Sequence, residues 1–543
     1  GFKKLLGSTA LATSLVATSF FTGLTTDANA SAQAVADNAT VVVGTNAAYA
    51  DGSAVVTISS GTDESSDGWV ATFNSANQAV NYIKMTSMTD EDETHDPVVT
   101  IDNGRVQVST NVIGIAATSA DVFKFAVAAD GIFAIGGNVT HATNKTITMT
   151  LTGAGTVEAF GAGAQAFANT ILSTSDDAGV LSIKDGGKKT FNGIIGATEL
   201  GAINTTASSS SEYNAAVDAK VITNLGVMQF DGALGANTIT NSGTVTLNAA
   251  MTNVAATDQT AVVMHTAGAI LNFNDTGAEN QNIIATATAD GDGTINFFDS
   301  SDDAAGAATT LVADSLIGTT GKRIGTLNVG KTDGTKAGNL VTVNAAAIFA
   351  DNVNVTAGNH EDEDSALSLH EALSSTTITL SAASAADASI KVLTTTAIAG
   401  TVDSGTGVDG AGFTIIDADA ATQFAGNVGA ISAIEKMDIA AIKVDLDGVA
   451  NAVEALHFSA DGTLEFDAAA AQTYTGTITA VNENGLITNA NTSGTLTFSG
   501  VVGTEAARIK EVSLLDNSDT TFENAVFALD LDIDTAAADD VTT

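Results

Sequence analysis

The chain has 543 residues, no cysteine, one proline and a formal charge of -43 from 19 Lys+Arg against 62 Asp+Glu. Without cysteine, disulfides, thiol nucleophiles and cysteine zinc sites are excluded. The acidity repels phosphate backbones and anionic headgroups, which excludes nucleic-acid binding and leaves only indirect membrane association.

Acidity here does not mean disorder. Apolar residues make up 44% and charged ones 15%, enough to build a buried core. Residues 1–30 read as an export signal: Lys3 and Lys4 form the positive region, Leu5 to Leu24 is uncharged, and Ala28-Asn29-Ala30 supplies the small residues that a signal peptidase recognises. Frequent Ser, Thr and Gly make that stretch a poor membrane anchor. The expected organisation is a signal peptide, 1–30, followed by one β-solenoid-like surface region, 31–543, located on a bacterial cell surface or outside the cell.

Asp90 to Asp96 (DEDETHD), just before Pro97, reads as a solvated acidic loop. Thr146 to Thr152 (TITMTLT) alternates as a half-buried strand does, and the same texture returns at Leu340 to Val343 and Thr377 to Leu380. A phrase, Gly-Thr-apolar-x-apolar, recurs at Gly243 to Leu247, Gly293 to Phe297, Gly325 to Val329, Gly462 to Phe466 and Gly494 to Phe498. Looser copies start at Gly155 and Gly476. Gly is expected to supply a positive φ at a corner, Thr to enter a strand, and the two apolar residues to share one face. One such unit cannot bury its face alone; stacked in register, the units bury it along a column. With aromatics at 5%, that column is filled by Val, Ile, Leu, Ala and some Phe. The fold expected is an elongated, all-β parallel β-helix or solenoid with coils of variable length; a string of β-sandwich domains is the alternative.

Asn241, Asn248, Asn328, Asn344, Asn352 and Asn354 recur inside and after strands, where they either form amide ladders between coils or occupy turns. Ser208 to Ser211 is the best linker candidate, too short to mark a boundary. Thr288 to Asp299 (TADGDGTINFFD) partly matches an EF-hand loop, with Asp290, Asp292 and Asp299 as the calcium candidates. Thr288 stands where the first Asp belongs, Asp299 where the bidentate Glu belongs, and no helices flank the loop, so an acidic turn before a strand is the preferred reading. Calcium is the one cofactor left open. Asn359 to Ala372 (NHEDEDSALSLHEA) reads as a loop insertion, near 359–373, carrying a short helix capped by Asn359 with acids in its first turn.

No nucleophile elbow, phosphate loop or dinucleotide fingerprint is present, and neither His360-Glu361 nor His370-Glu371 has the second His of a zinc protease. No catalytic residue can be named, and the expectation is a non-enzyme. A polysaccharide-active β-helix enzyme is the least favoured reading, because its carboxylates cannot be paired without the coil register.

Asp121 to Ile135 (DVFKFAVAADGIFAI) resembles segments of rickettsial surface antigens of the outer-membrane-protein-B type, and Gly235 to Leu247 and Ile324 to Gly330 are similar in style. The resemblance implies an autotransporter passenger, a large β-solenoid displayed on the cell surface, forming a surface layer and contacting host cells. It carries over no functional residue. Such passengers are followed by a membrane barrel of alternating strands about ten residues long, whereas here the end, Ala528 to Asp534 and then Thr535 to Thr543, reads as acidic and without a barrel. That implies a fragment, or a shorter relative retained by assembly. The expected function is a self-associating structural subunit of a bacterial surface layer or envelope coat, with an adhesin that binds host-cell or surface ligands as the alternative.

Overall fold

The computed structural model describes residues 33–35, 41–43, 55–59, 70–73, 78–86, 98–115, 122–142, 146–249, 251, 259–274, 283–298, 315–330, 341–345, 347–358, 364–382, 386–405, 412–440, 442–481, 483–491, 493–515 and 519–533. Among these residues every regular element is a β-strand, and successive coils pair in parallel. The described strands stack as a β-solenoid of about 15 turns. Sandwich domains would pair their strands antiparallel, so the parallel ladders dispose of that alternative. The expected single region divides into two compact units, residues 1–245 and 246–543. The signal at 1–30 and the acidic loop at 90–96 lie outside the described residues.

In the first unit the strand Ile195–Thr205 bends in its middle. Ile195 pairs with Ile171, while Leu200 to Thr205 pair with the strand Ala178–Ile183. The strand Ser210–Tyr213 pairs separately with Lys188–Phe191, so one coil has three sides. Register then decides the interior. Phe167, Phe191, Tyr213 and Phe230 are in-register partners on successive coils, and their rings stack at centroid distances of 4.8, 5.1 and 4.8 Å. These spacings follow the separation of neighbouring strands, about 4.8 Å, so the ring column and the backbone ladder share one period.

Many of the polar groups buried in this unit have partners. The Thr205 hydroxyl donates to Asn224 Oδ1 at 2.8 Å, and Asn224 Nδ2 donates to Asn241 Oδ1 at 2.9 Å. Glu158, almost fully buried, is held between Arg105 and Lys184. Burial pushes its carboxyl up, but the two cations outweigh that and hold it below the usual carboxylate range. The buried Lys189 ammonium donates to the carbonyls of Gly161, Gly163, Gly186 and Gly187, and burial pulls its pKa down. Ser209 and Ser211 are also buried, so the serine run is part of a coil rather than a linker.

In the second unit the inward residues Leu271, Ile295, Leu327, Val353, Ile378 and Val402 form one in-register column, each fully buried. Each such side chain contributes about 1.5–3 kcal/mol by leaving water. The apolar positions of the Gly-Thr phrases therefore do what their alternation implies. Their glycines mostly do something else. Gly293 does have a φ of 81°, but Gly243 and Gly325 are not in the left-handed region. A Cβ on Gly325 would lie 2.4 Å from the Gly291 carbonyl oxygen, and one on Gly243 1.9 Å from that of Gly226. Glycine is required there because the coil beneath comes too close for a side chain.

The helical insertion expected at 359–373 is also corrected. Ser365–Leu369 is a strand whose five residues are all buried, paired with Val341–Ala345 and Ala388–Val392. Leu373 opens the next strand, Leu373–Ser381. Leu367 and Leu369 sit two residues apart, which is the strand period, and both face the core. Asp364 Oδ1 accepts the backbone N–H of Asp387 at 2.7 Å, so this acid caps a corner between coils rather than a helix.

Candidate functional site

The turn after the strand Ile283–Ala287 carries two of the expected calcium ligands. Asp290 Oδ1 accepts the backbone N–H of Arg323, and Asp292 Oδ2 accepts that of Ala289, each at 2.9 Å. Both carboxylates thus close the corner, as an acidic turn does. Asp299 lies outside the described residues.

A denser acidic group lies on the coils around residue 445. The strand Lys443–Leu446 pairs with Thr463–Phe466, which places Asp445 beside Glu465 on the outward face. Carboxylate oxygens of Asp445, Glu465 and Asp467 all fall within 4.8 Å of one another. Asp447 sits against Asp467, and its Oδ2 accepts from Gln423 Nε2 at 2.8 Å. The one cation in the group, Lys443, binds Glu465 and reaches Asp445 Oδ2 at 3.6 Å. Asp447 at hydrogen-bond distance, with partial burial and its charge, pushes Asp467 up to about 6. Burial, then the charge of Asp467, also raises Asp445 despite Lys443. The set offers only oxygen donors, the chemistry of a hard divalent cation, and Asp445, Glu465 and Asp467 are the residues able to hold one.

The Asp467 shift has a definite sign. Its folded pKa, about 6, lies above its ordinary value of 3.8, so its stabilising contribution is full below that lower value and lost as pH rises through about 6. An Asp467→Asn variant should therefore melt higher than the parent near pH 7 and no higher near pH 4. Solvent screening at this exposed position limits the gain to about 1 kcal/mol. Calorimetry at the two pH values checks it.

Stacked acids recur elsewhere. Asp417 and Asp438 are in-register partners, and burial together with Asp419 and Asp438 raises Asp417. In the first unit, burial and Asp177 raise Glu199, while Lys220 pairs with Asp177 at 2.5 Å.

The outward side of one sheet in the second unit has a different character. Asn296 Nδ2 donates to Asn272 Oδ1 at 2.8 Å, Asn328 Nδ2 to Asn296 Oδ1 at 2.7 Å, and Asn354 Nδ2 to Asn328 Oδ1 at 2.8 Å. Asn272 Nδ2 in turn donates to Thr246 Oγ1 at 3.1 Å. Of the two readings open for the recurring asparagines, Asn328 and Asn354 take the ladder. Asn248 accepts from Asn274, Asn241 from Asn224, and Asn352 donates to the Gly325 carbonyl; the side chain of Asn344 lies outside the description.

Sequence reasoning missed the group at 445–467. The signal was present as Lys443-Val444-Asp445-Leu446-Asp447 and Thr463-Leu464-Glu465-Phe466-Asp467, two alternating segments that align when the Gly-Thr phrase starting at Gly462 is laid over the preceding coil. No protein family, curated protein or solved structure matches this chain in the comparisons made.

Proposed function

We propose that this protein is an exported structural subunit of a bacterial surface layer or envelope coat. The observation that carries the reading is the stacking of carboxylates on successive coils in excess of the cations beside them, at Asp445, Glu465 and Asp467 around the single Lys443, and again at Asp417 and Asp438. Such columns store like-charge repulsion that a shared divalent cation relieves, both within a copy and between copies. The stacked core within each unit and the resemblance to surface antigens support the same reading. Exposed Asp530 and Asp532, on the strand Ala528–Ile533, are further bridging points.

Ordered sheets should form with calcium or magnesium at about 1 mM and disperse on chelation or at very low salt. Electron microscopy of the cell surface and of purified protein tests this. A regular lattice supports the coat; isolated molecules that bind host cells favour the adhesin; sheets that survive chelator at low ionic strength remove the cation from the proposal.

A further inference from the structure

We infer that the threonine–asparagine face of the second unit is where two copies of the chain meet side by side; this names the contact surface within the coat reading and rests on it. The strands Ile270–Asn274, Asp292–Phe298, Ile324–Gly330, Ala347–Thr356 and Leu373–Ser381 align two outward rows. One row runs Thr294, Thr326, Asn352, Thr377; the other runs Asn272, Asn296, Asn328, Asn354, Thr379. Neither row holds an Asp, Glu, Lys or Arg until Asp403 on the following coil.

Charge selects this face. In a chain of charge -43, most approaches bring carboxylates of two copies within a Debye length, about 8 Å at physiological ionic strength. An uncharged face avoids that repulsion, and it offers a charged ligand no counter-charge. Period selects the partner. The rows repeat at about 4.8 Å along the stack and lie about 7 Å apart across it, so a matching surface must carry the same repeat. A second copy of the same face does so by construction, in the self-complementary manner of a two-fold contact.

The ladder prepares the groups. Each interior amide spends its oxygen and one N–H on its neighbours, leaving a second N–H and a carbonyl lone pair for an outside partner. Its rotamer is already fixed, so docking costs little side-chain entropy. Asn352 and Thr377 are the exposed members, joined by a 2.8 Å bond from the Thr377 hydroxyl to Asn352 Oδ1. Five coils and two rows present about 300–400 Å² per copy from these spacings, well short of the about 800 Å² per partner of a stable pair. The contact is therefore weak alone and becomes stable in an array.

The absence of native cysteine allows a clean test. Asn352→Cys and Thr395→Cys variants of the full chain, the second at an exposed position off this face, are treated at high concentration with a flexible bis-maleimide. Several-fold more covalent dimer from Asn352→Cys is expected; equal yields, or none from either, overturn the inference. Separately, the Asn352→Asp/Thr377→Asp double variant should lose sheet formation while Thr395→Asp/Ala397→Asp keeps it, with circular dichroism confirming that both fold. Sheets from the first double variant overturn this contact and leave the coat standing. A parent chain that makes no sheets overturns the coat, and the cross-linking yields then judge the face alone. Binding of the parent to insoluble cellulose, lost in the first double variant without any cross-linked dimer, would assign the face to a neutral glycan instead.

Discussion

A Phe191→Ala variant is expected to lose about 3–5 kcal/mol of stability in the 1–245 unit. Phe191 is fully buried between the rings of Phe167 and Tyr213, and its truncation removes both stacking contacts at once. The usual relief, collapse of the surroundings into the gap, is blocked here. Lys189 to Phe191 are hydrogen-bonded in register to the coils on both sides, which fixes the backbone at the ladder spacing and keeps the cavity open. Phe191→Leu, which retains most of the volume, should cost less. Hydrogen exchange on the full chain reads the effect locally, as lost protection at residues 188–191 and 210–213, where a global melting curve would blur it. A loss below about 1 kcal/mol would mean that neighbouring coils can close up.

An Asn224→Ala variant is expected to cost about 4 kcal/mol, although the side chain removed is small and polar. Asn224 Oδ1 accepts from the Thr205 hydroxyl at 2.8 Å and from the Gly226 N–H at 3.1 Å. Its Nδ2 donates to Asn241 Oδ1 at 2.9 Å, to the Thr244 carbonyl at 3.0 Å and to the Gly226 carbonyl at 3.2 Å. Thr205, Asn224 and Asn241 are all buried, so alanine removes five hydrogen bonds in a place shielded from water, at about 0.5–1.5 kcal/mol each, and leaves the Thr205 hydroxyl without its acceptor. Asn224→Asp should be comparably harmful near neutral pH, since it keeps the acceptors, loses both donors and buries a charge. Chemical denaturation of the three proteins at matched pH checks the order; a loss under about 1 kcal/mol for alanine would show that water enters the corner.

How much of this was legible beforehand depends on which interaction fixes each feature. The strand at Thr146 to Leu151 and the buried positions of the Gly-Thr phrases follow from alternation, which is a local property of the chain. The segment at 365–369 was misread because acids and Asn359 mimic a helix start, while the two-residue spacing of Leu367 and Leu369 already carried the strand signal. The reason for Gly243 and Gly325 could not be read locally, since the obstructing carbonyls belong to another coil. The meeting of Asp445 with Glu465 has the same origin: it depends on coil length, which varies from 17 residues between Asn224 and Asn241 to 32 between Asn296 and Asn328. Only the ladder tells which acid stands above which.

That variable contour has an evolutionary corollary. Duplicating or excising one whole coil keeps every remaining core side chain facing the core, with new neighbours only at the junction, whereas inserting one residue within a strand turns its core side chains toward solvent. Recombination between coils is thus a mild event for this molecule and a frameshift of the pleat a severe one. Selection can alter the copy number of its coils, and so the length of a stacked column, without having to invent a new core.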